Sequence, residues 1–243
     1  MDRWITTEVV FRRMTAILNN QSLISRLMKI KACIFDLDGV IVDTAKYHYL
    51  AWKRLAADLG FEFKPEHNER LKGVSRVRSL EILLEVGGLS FSTAEKERMA
   101  TLKNEWYLEY IHRMTPDEIL PGVLPFLLEL RRGGVKIALG SASKNAPLIL
   151  QQVEITDYFD AIIDGNKVSK AKPDPEVFLK AAEELGIDPG DCVVFEDAEA
   201  GVEAALSGNM CCVGVGSPLV LNKATVVIPG FESFNLAALE AVL

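Results

Sequence analysis

Residues 29–44 read KIKACIFDLDGVIVDT, and no other stretch constrains the fold as tightly. The run from residue 30 to 35 is apolar except for Lys31, and it has the length and composition of a fully buried strand. It stops abruptly at Asp36-Leu37-Asp38-Gly39. Two carboxylates spaced i, i+2 at the end of a strand point to the same side. A core strand has little use for acids there. At the carboxyl end of a parallel strand, however, they lie in the crevice where open α/β sheets bind ligands. The strand therefore implies a parallel sheet, and its end implies chemistry.

After that strand the pattern changes. Residues 45–59 place Tyr49, Trp52 and Leu55 to Leu59 on one helical face and end at Gly60. Residues 80–86 and 93–112 continue at helical spacing with no strand among them. A helical stretch this long, inserted straight after the first strand, is not how an unbroken βαβ chain behaves. Residues 45–114 are therefore expected to form a separate all-helical cap.

From residue 120 helices and strands alternate. A helix over 123–131 is stopped by Gly133-Gly134, and a strand over 135–139 leads into Ser141-Ala142-Ser143. Ser143 is placed to cap a helix over 144–153, and a short strand follows at 161–163. Asp174-Pro175 reads as an N-cap with proline at the first position of a helix that runs to Leu185. A strand over 193–195 ends in Glu196-Asp197, and a helix over 201–206, strands over 210–215 and 226–228, and a C-terminal helix complete the chain. The alternation predicts an α/β fold with a doubly wound, mainly parallel Rossmann-like sheet. That core comprises residues 29–44 and 115–243, interrupted by the helical cap.

Residues 1–28 carry Arg3, Arg12, Arg13 and Arg26 against Asp2 and Glu8, and are amphipathic and acid-poor in the manner of a transit peptide. The plainer expectation is an N-terminal extension ahead of a natural start at Met28, or an added surface helix. With 27 basic and 34 acidic residues the net charge is -7, which argues against nucleic acid or an anionic membrane as partner. No run of ~18 apolar residues offers a membrane span. An anionic ligand must then be held by local donors or by a metal. Cys33, Cys192, Cys211 and Cys212 show no metal-ligand spacing and read as small buried hydrophobes in a reducing cytosol. The expected location is cytoplasmic, and the expected state a monomer.

Three strands end in polar groups: Asp36 and Asp38, then Ser141, then Glu196 and Asp197. Lys172-Pro173 sits in a loop just before a helix. Parallel strands bring their carboxyl ends to one edge, so these residues are expected to meet. Each has a plain alternative role, since a terminal Asp or Ser can cap a helix and a lysine can be a solvated charge. Together they make a site. Crowded carboxylates repel unless a cation lies among them, and an all-oxygen set without His or Cys suits Mg²⁺.

This constellation resembles the haloacid dehalogenase superfamily of phosphotransferases, with DLDGV at 36–40, Ser141, Lys172 and Glu196-Asp197 carrying the likeness. The resemblance implies that Asp36 is a nucleophile forming an aspartyl-phosphate and Asp38 the general acid/base. It implies Mg²⁺ bound by Asp36, Glu196, Asp197 and the backbone carbonyl of Asp38. Such a mechanism is physically coherent: a carboxylate attacking a phosphate dianion meets like charge, which Mg²⁺ and Lys172 neutralise while Ser141 and backbone N–H groups hold the remaining oxygens.

Within the superfamily the likeness is closer to the β-phosphoglucomutases. It is carried by DTAKYHYLAWKRLA at 43–56, LKGVSRVRSLEILL at 71–84 and SASKN at 141–145. That resemblance implies interconversion of β-glucose 1-phosphate and glucose 6-phosphate through a bisphosphate. A mutase must hold two phosphates at once. Donors for the second are Arg76 from the cap and Ser143, Lys144 and Asn145 from the loop after the second strand. By likeness, His48 and Lys72 contact Asp38 or the sugar when the cap closes, Gly73, Val74 and Ser75 line the cap's substrate side, and Thr44 and Trp52 support the hinge. Many relatives carry Ser or Thr after the Glu-Asp pair, where Ala198 stands here. Two rival readings remain: a phosphatase for a small sugar phosphate or phosphoglycolate, and a phospho-accepting switch in which Asp36 is a signalling residue and Asp38 has no proton to move.

Overall fold

The computed structural model describes residues 30–71 and 74–243; the expectations for the N-terminal extension, Lys72 and Gly73 lie outside the described residues. Six strands, β1 (Ala32–Phe35), β2 (Lys136–Gly140), β3 (Ala161–Ile163), β4 (Cys192–Glu196), β5 (Cys211–Val215) and β6 (Val226–Ile228), form one sheet. Its order is β3-β2-β1-β4-β5-β6, and every neighbouring pair is parallel. The chain thus starts in the middle, winds one way, and crosses back over β1 to wind the other. The reversal opens a crevice beyond the carboxyl ends of β1 and β4, where ligands bind in such sheets.

Side-chain alternation along the strands builds two different layers. Ala32, Ile34, Val194 and Cys212 pack against Phe178, Ala181 and Ala182 of α7 (Glu176–Leu185) and Val202, Ala204 and Ala205 of α8 (Glu199–Ser207). The small residues on those helices allow a close approach. On the opposite face Phe35 stacks on Phe195 with ring centroids 4.7 Å apart, and Phe126 of α5 (Val123–Arg132) meets both rings edge-on. Phe231 and Phe234 close the same aromatic cluster. Asp36 therefore follows a strand that is fully enclosed on both faces.

The helical insertion consists of α1 (Ala45–Asp58), α2 (Pro65–Glu69), α3 (Arg76–Gly87) and α4 (Thr93–Ile111). Trp52 and Leu55 of α1 and Tyr107 and Ile111 of α4 are buried within it. Ser92 and Glu95 form a reciprocal capping box that starts α4. The two linkers to the core are tied together by an antiparallel bridge between Val42 and Ile119 and by Leu120 N–H donating to the Ile41 carbonyl at 2.9 Å. Tyr47 also donates to Glu118, at 2.7 and 2.8 Å to its two oxygens, so the first turn of α1 is anchored to the second linker.

Local boundaries differ from expectation in instructive ways. The helix after β2 is α6 (Ala146–Gln152), not 144–153, and Ser143 does not cap it. A helix begun at residue 144 would put Pro147 in its interior, where the ring clashes with the preceding turn. Starting at Ala146 keeps the proline in the first turn, where its missing N–H costs nothing. The Ser143 hydroxyl instead accepts from Asn145 N–H at 3.2 Å. α7 starts at Glu176, yet Asp174 still accepts from the Glu176 N–H at 3.1 Å as a capping carboxylate would. The short helix α2 opens on Pro65, a start signal the apolar pattern did not reveal. All four cysteines are free; Cys33, Cys192 and Cys212 are buried and Cys211 is partly so.

Candidate active site

Beyond Phe35 the backbone turns at once. Ile41 N–H reaches the Leu37 carbonyl at 2.9 Å and Gly39 N–H the Val42 carbonyl at 2.8 Å. Gly39 has a φ of 79°, which favours glycine, and a Cβ at that position would fall inside the Asp197 carboxylate. Glycine there both permits the turn and brings Asp197, from the end of β4, against the DLDG loop. Gly201 serves the neighbouring acid in the same way, for a side chain in its place would collide with the Glu196 carboxylate.

Lys172 reaches into this cluster. Its Nζ lies 2.6 Å from Asp36 Oδ1 and also contacts Glu196 Oε1, while the side chain is 2% exposed. The Phe178 ring lies 4.7 Å from the same nitrogen. Burial opposes the lysine's charge, but the Asp36 and Glu196 carboxylates outweigh it and raise its pKa. Glu196 Oε2 accepts from Ala198 N–H at 2.8 Å. Ser141, 1% exposed at the end of β2, accepts from Ser143 N–H at 3.1 Å.

The acids are out of balance with the one lysine. Burial, then the Asp36 charge, pushes Asp38 up to about 7, against the pull of Thr44, Lys172 and Lys103. Burial, then Glu196, Asp36 and Asp38, pushes Asp197 up to about 8. Burial also raises Glu196, with Lys172 opposing. Such mutual repulsion is relieved by one added cation, and oxygen donors alone suit a hard divalent ion. Among the described residues no group of three or more His, Cys, Asp or Glu side chains stands preassembled for a metal. The donors that fit are fewer, Asp36 and Asp197 with a backbone carbonyl, because both Glu196 oxygens already accept hydrogen bonds.

The stretch of chain that carries these acids, the hydroxyl and the lysine is matched by a family model. Residues 30–209 match the haloacid dehalogenase-like hydrolases. The chain belongs to that family. Among curated members, β-phosphoglucomutase of Bacillus subtilis strain 168 is 46% identical over 212 residues, covering 86% of this chain and 94% of the relative. A phosphorylated carbohydrates phosphatase of Thermotoga maritima is 32% identical, covering 74% of this chain and 82% of its own length. The crystal structure of β-phosphoglucomutase from Clostridium difficile superposes with a TM-score of 0.84 at 44% identity, covering 88% of this chain and 97% of that one.

In this haloacid dehalogenase-like hydrolase the insertion brings a second charged group toward the acids. Lys103 of α4 is 1% exposed, its Nζ 2.9 Å from His48 Nδ1 and 4.6 and 4.7 Å from the ring centres of Trp52 and Tyr107. Burial, then Arg76, lowers the Lys103 pKa well below its ordinary value, while Asp38 pulls the other way. Burial, then Lys103 and Arg76, holds His48 well below the usual imidazole value, and burial also lowers Arg76. Thr44, fully buried at the first linker, donates its hydroxyl to Asp38 Oδ1.

The structure thus gathers Asp36, Asp38, Thr44, Lys172, Glu196 and Asp197 at one edge, with Ser141 at the adjacent strand end. It sets His48 and Arg76 together in the insertion. The Trp52 ring packs against Lys103 within the helical layer. The Ser75 hydroxyl accepts from Arg78 N–H, and so is engaged in capping α3; Val74 is half-buried beside it. Lys144 is exposed, while Asn145 Nδ2 donates to Asn104 Oδ1 of α4 at 2.9 Å. Lys103 was missed by the sequence reading, although a signal existed: it shares a helical face with Tyr107 and Ile111 at i+4 and i+8, a lysine on a buried stripe.

Proposed function

We infer that this protein interconverts β-D-glucose 1-phosphate and D-glucose 6-phosphate, acting as a phosphotransferase through an aspartyl-phosphate on Asp36 and β-glucose 1,6-bisphosphate. What carries the reading is the 46% identity to a β-phosphoglucomutase over 94% of that relative, a span that includes the substrate-selecting insertion as well as the acids.

In this reading Asp36 Oδ1 accepts from Lys172 and would also face the metal, while Oδ2 attacks phosphorus. Ser141 and nearby backbone N–H groups take up the transferring phosphoryl oxygens. Thr44 holds Asp38 Oδ1, leaving the other oxygen to give a proton to the departing sugar oxygen and to remove one from the incoming hydroxyl. A pKa of about 7 suits a group that must be protonated for half of the cycle. Mg²⁺ is the cofactor that fits: Asp36, Asp197 and the Asp38 carbonyl would hold it, with Glu196 adjoining, and it would offset the repulsion between carboxylate and phosphate dianion.

Residues 45–114 act as the cap and residues 29–44 and 115–243 as the core. Closure keeps water from the aspartyl-phosphate until a sugar hydroxyl arrives. Arg76 with Ser143, Lys144 and Asn145 receives the second phosphate, and His48 and Lys72 act where the cap meets the sugar. The protein works as a cytoplasmic monomer; no helix among the described residues is long and apolar enough to cross a membrane. Incubation with β-glucose 1-phosphate, Mg²⁺ and a trace of the bisphosphate tests the reaction. Glucose 6-phosphate is the expected main product, and free phosphate as main product would replace the mutase by a phosphatase.

A further inference from the structure

Asn145 occupies the N-cap of α6, where an asparagine side chain ordinarily accepts from its own helix and contributes ~1 kcal/mol. Here it makes no such bond. Its Nδ2 is turned instead across the cleft to Asn104 Oδ1 at 2.9 Å, a partly buried contact between residues 41 positions apart. The loop that carries Asn145 is itself braced: Ser143 Oγ accepts from Asn145 N–H, and Gly165 N–H donates to the Ser143 carbonyl at 3.2 Å. Asn166 Nδ2 also donates to the Lys144 carbonyl at 3.1 Å. These bonds shape the loop and leave the Asn145 carboxamide facing the insertion. On α4 Asn104 follows Lys103, which pairs with His48 of α1, so adjacent residues of one helix bind the inside of the cap and the far side of the cleft.

We propose that Asn104 is a positioning residue that ties the cap to the 143–145 loop, so that the loop presents its phosphate donors in register with the cap's Arg76 only while the cap is down. The tie stands on the geometry; its catalytic consequence rests on the assignment of that loop to the second phosphate. One hydrogen bond of this kind shifts a closed-to-open ratio by about 5- to 10-fold. Asn104→Ala removes the acceptor, whereas Asn104→Asp keeps it.

Hydrogen exchange of the ligand-free protein reads the tie in the core segment 141–149, which lies outside α4 and so apart from the Asn104 substitutions, with Asn145→Ala corrected for its own intrinsic exchange rate. Exchange there is expected to be about 5- to 10-fold faster in Asn104→Ala and in Asn145→Ala, no faster in the double variant, and near wild type in Asn104→Asp. Loss of protection confined to α4, equal loss in the Ala and Asp variants, or unchanged exchange in Asn104→Ala would each overturn the proposal. In turnover, Asn104→Ala should raise KM for β-glucose 1-phosphate about 10-fold with kcat altered less than about 3-fold. An unchanged KM would refute the coupling to substrate. A wild-type protein that forms no glucose 6-phosphate would refute the functional reading alone, and the exchange comparison would still decide the tie.

Discussion

The core buries a cluster of acidic side chains, and the insertion buries a cluster of basic ones. At the sheet edge Asp36, Asp38, Glu196 and Asp197 crowd around the single ammonium of Lys172, and Asp38 and Asp197 are driven to about 7 and about 8. In the insertion Lys103, His48 and Arg76 crowd together, and all three are driven down. Among the described residues Lys103 has no carboxylate within ion-pair distance. A structure selected for stability alone would pair such groups off, because buried uncompensated charge is costly. In the proposed reaction the carboxylate edge would face a divalent cation and the basic cluster of the insertion a phosphate.

The largest effect separates the two clusters by the fate of their lysines. Lys172→Ala leaves Asp36 and Glu196 facing each other without the ammonium, and should cost ~3–5 kcal/mol in urea unfolding of the metal-free protein. A loss below 1 kcal/mol would mean that the core cluster is not charge-limited. Next is Asp38→Asn, which keeps the shape of the site but removes a titrating group. Turnover should fall at least ~10²-fold, and near-normal turnover would remove Asp38 as the general acid/base.

The smallest effect has the opposite sign. Lys103→Met should stabilise the protein by ~1–2 kcal/mol at pH 7 while lowering activity. Its pH dependence follows from linkage. A lysine whose folded pKa is depressed contributes stability that is present above the unfolded value near ~10.4 and is lost as pH falls through the depressed value. The advantage of Lys103→Met over wild type should therefore grow as pH is lowered from ~10.4, measured by denaturant midpoints across that range. A constant advantage would show that Lys103 is not the titrating group.

The same contrast governs what could be read from the sequence. The core acids were legible because each ends an apolar strand, and a parallel sheet leaves the ends of β1, β2 and β4 no choice but to converge. The cap cluster was only half legible. His48 and Arg76 stood out through family likeness, whereas Lys103 lies within a helix rich in charged residues, TAEKERMATLKNEWYLEYI, whose buried face is narrow. The Asn104–Asn145 contact was invisible because it joins two elements whose meeting depends on how the insertion folds back. Ser143 has the residue type of an N-cap, but the proline four residues later moves the helix start to Ala146.

A crystal structure of the protein with Mg²⁺ and β-glucose 1,6-bisphosphate decides whether the two phosphates are held at opposite sides of the site. It should show one phosphate among Asp36, Ser141 and Lys172 and the other against Arg76 and residues 143–145, with the divalent ion on Asp36 and Asp197. A single anion seat, or both phosphates at the carboxylate edge with the cap cluster untouched, would contradict the proposed function.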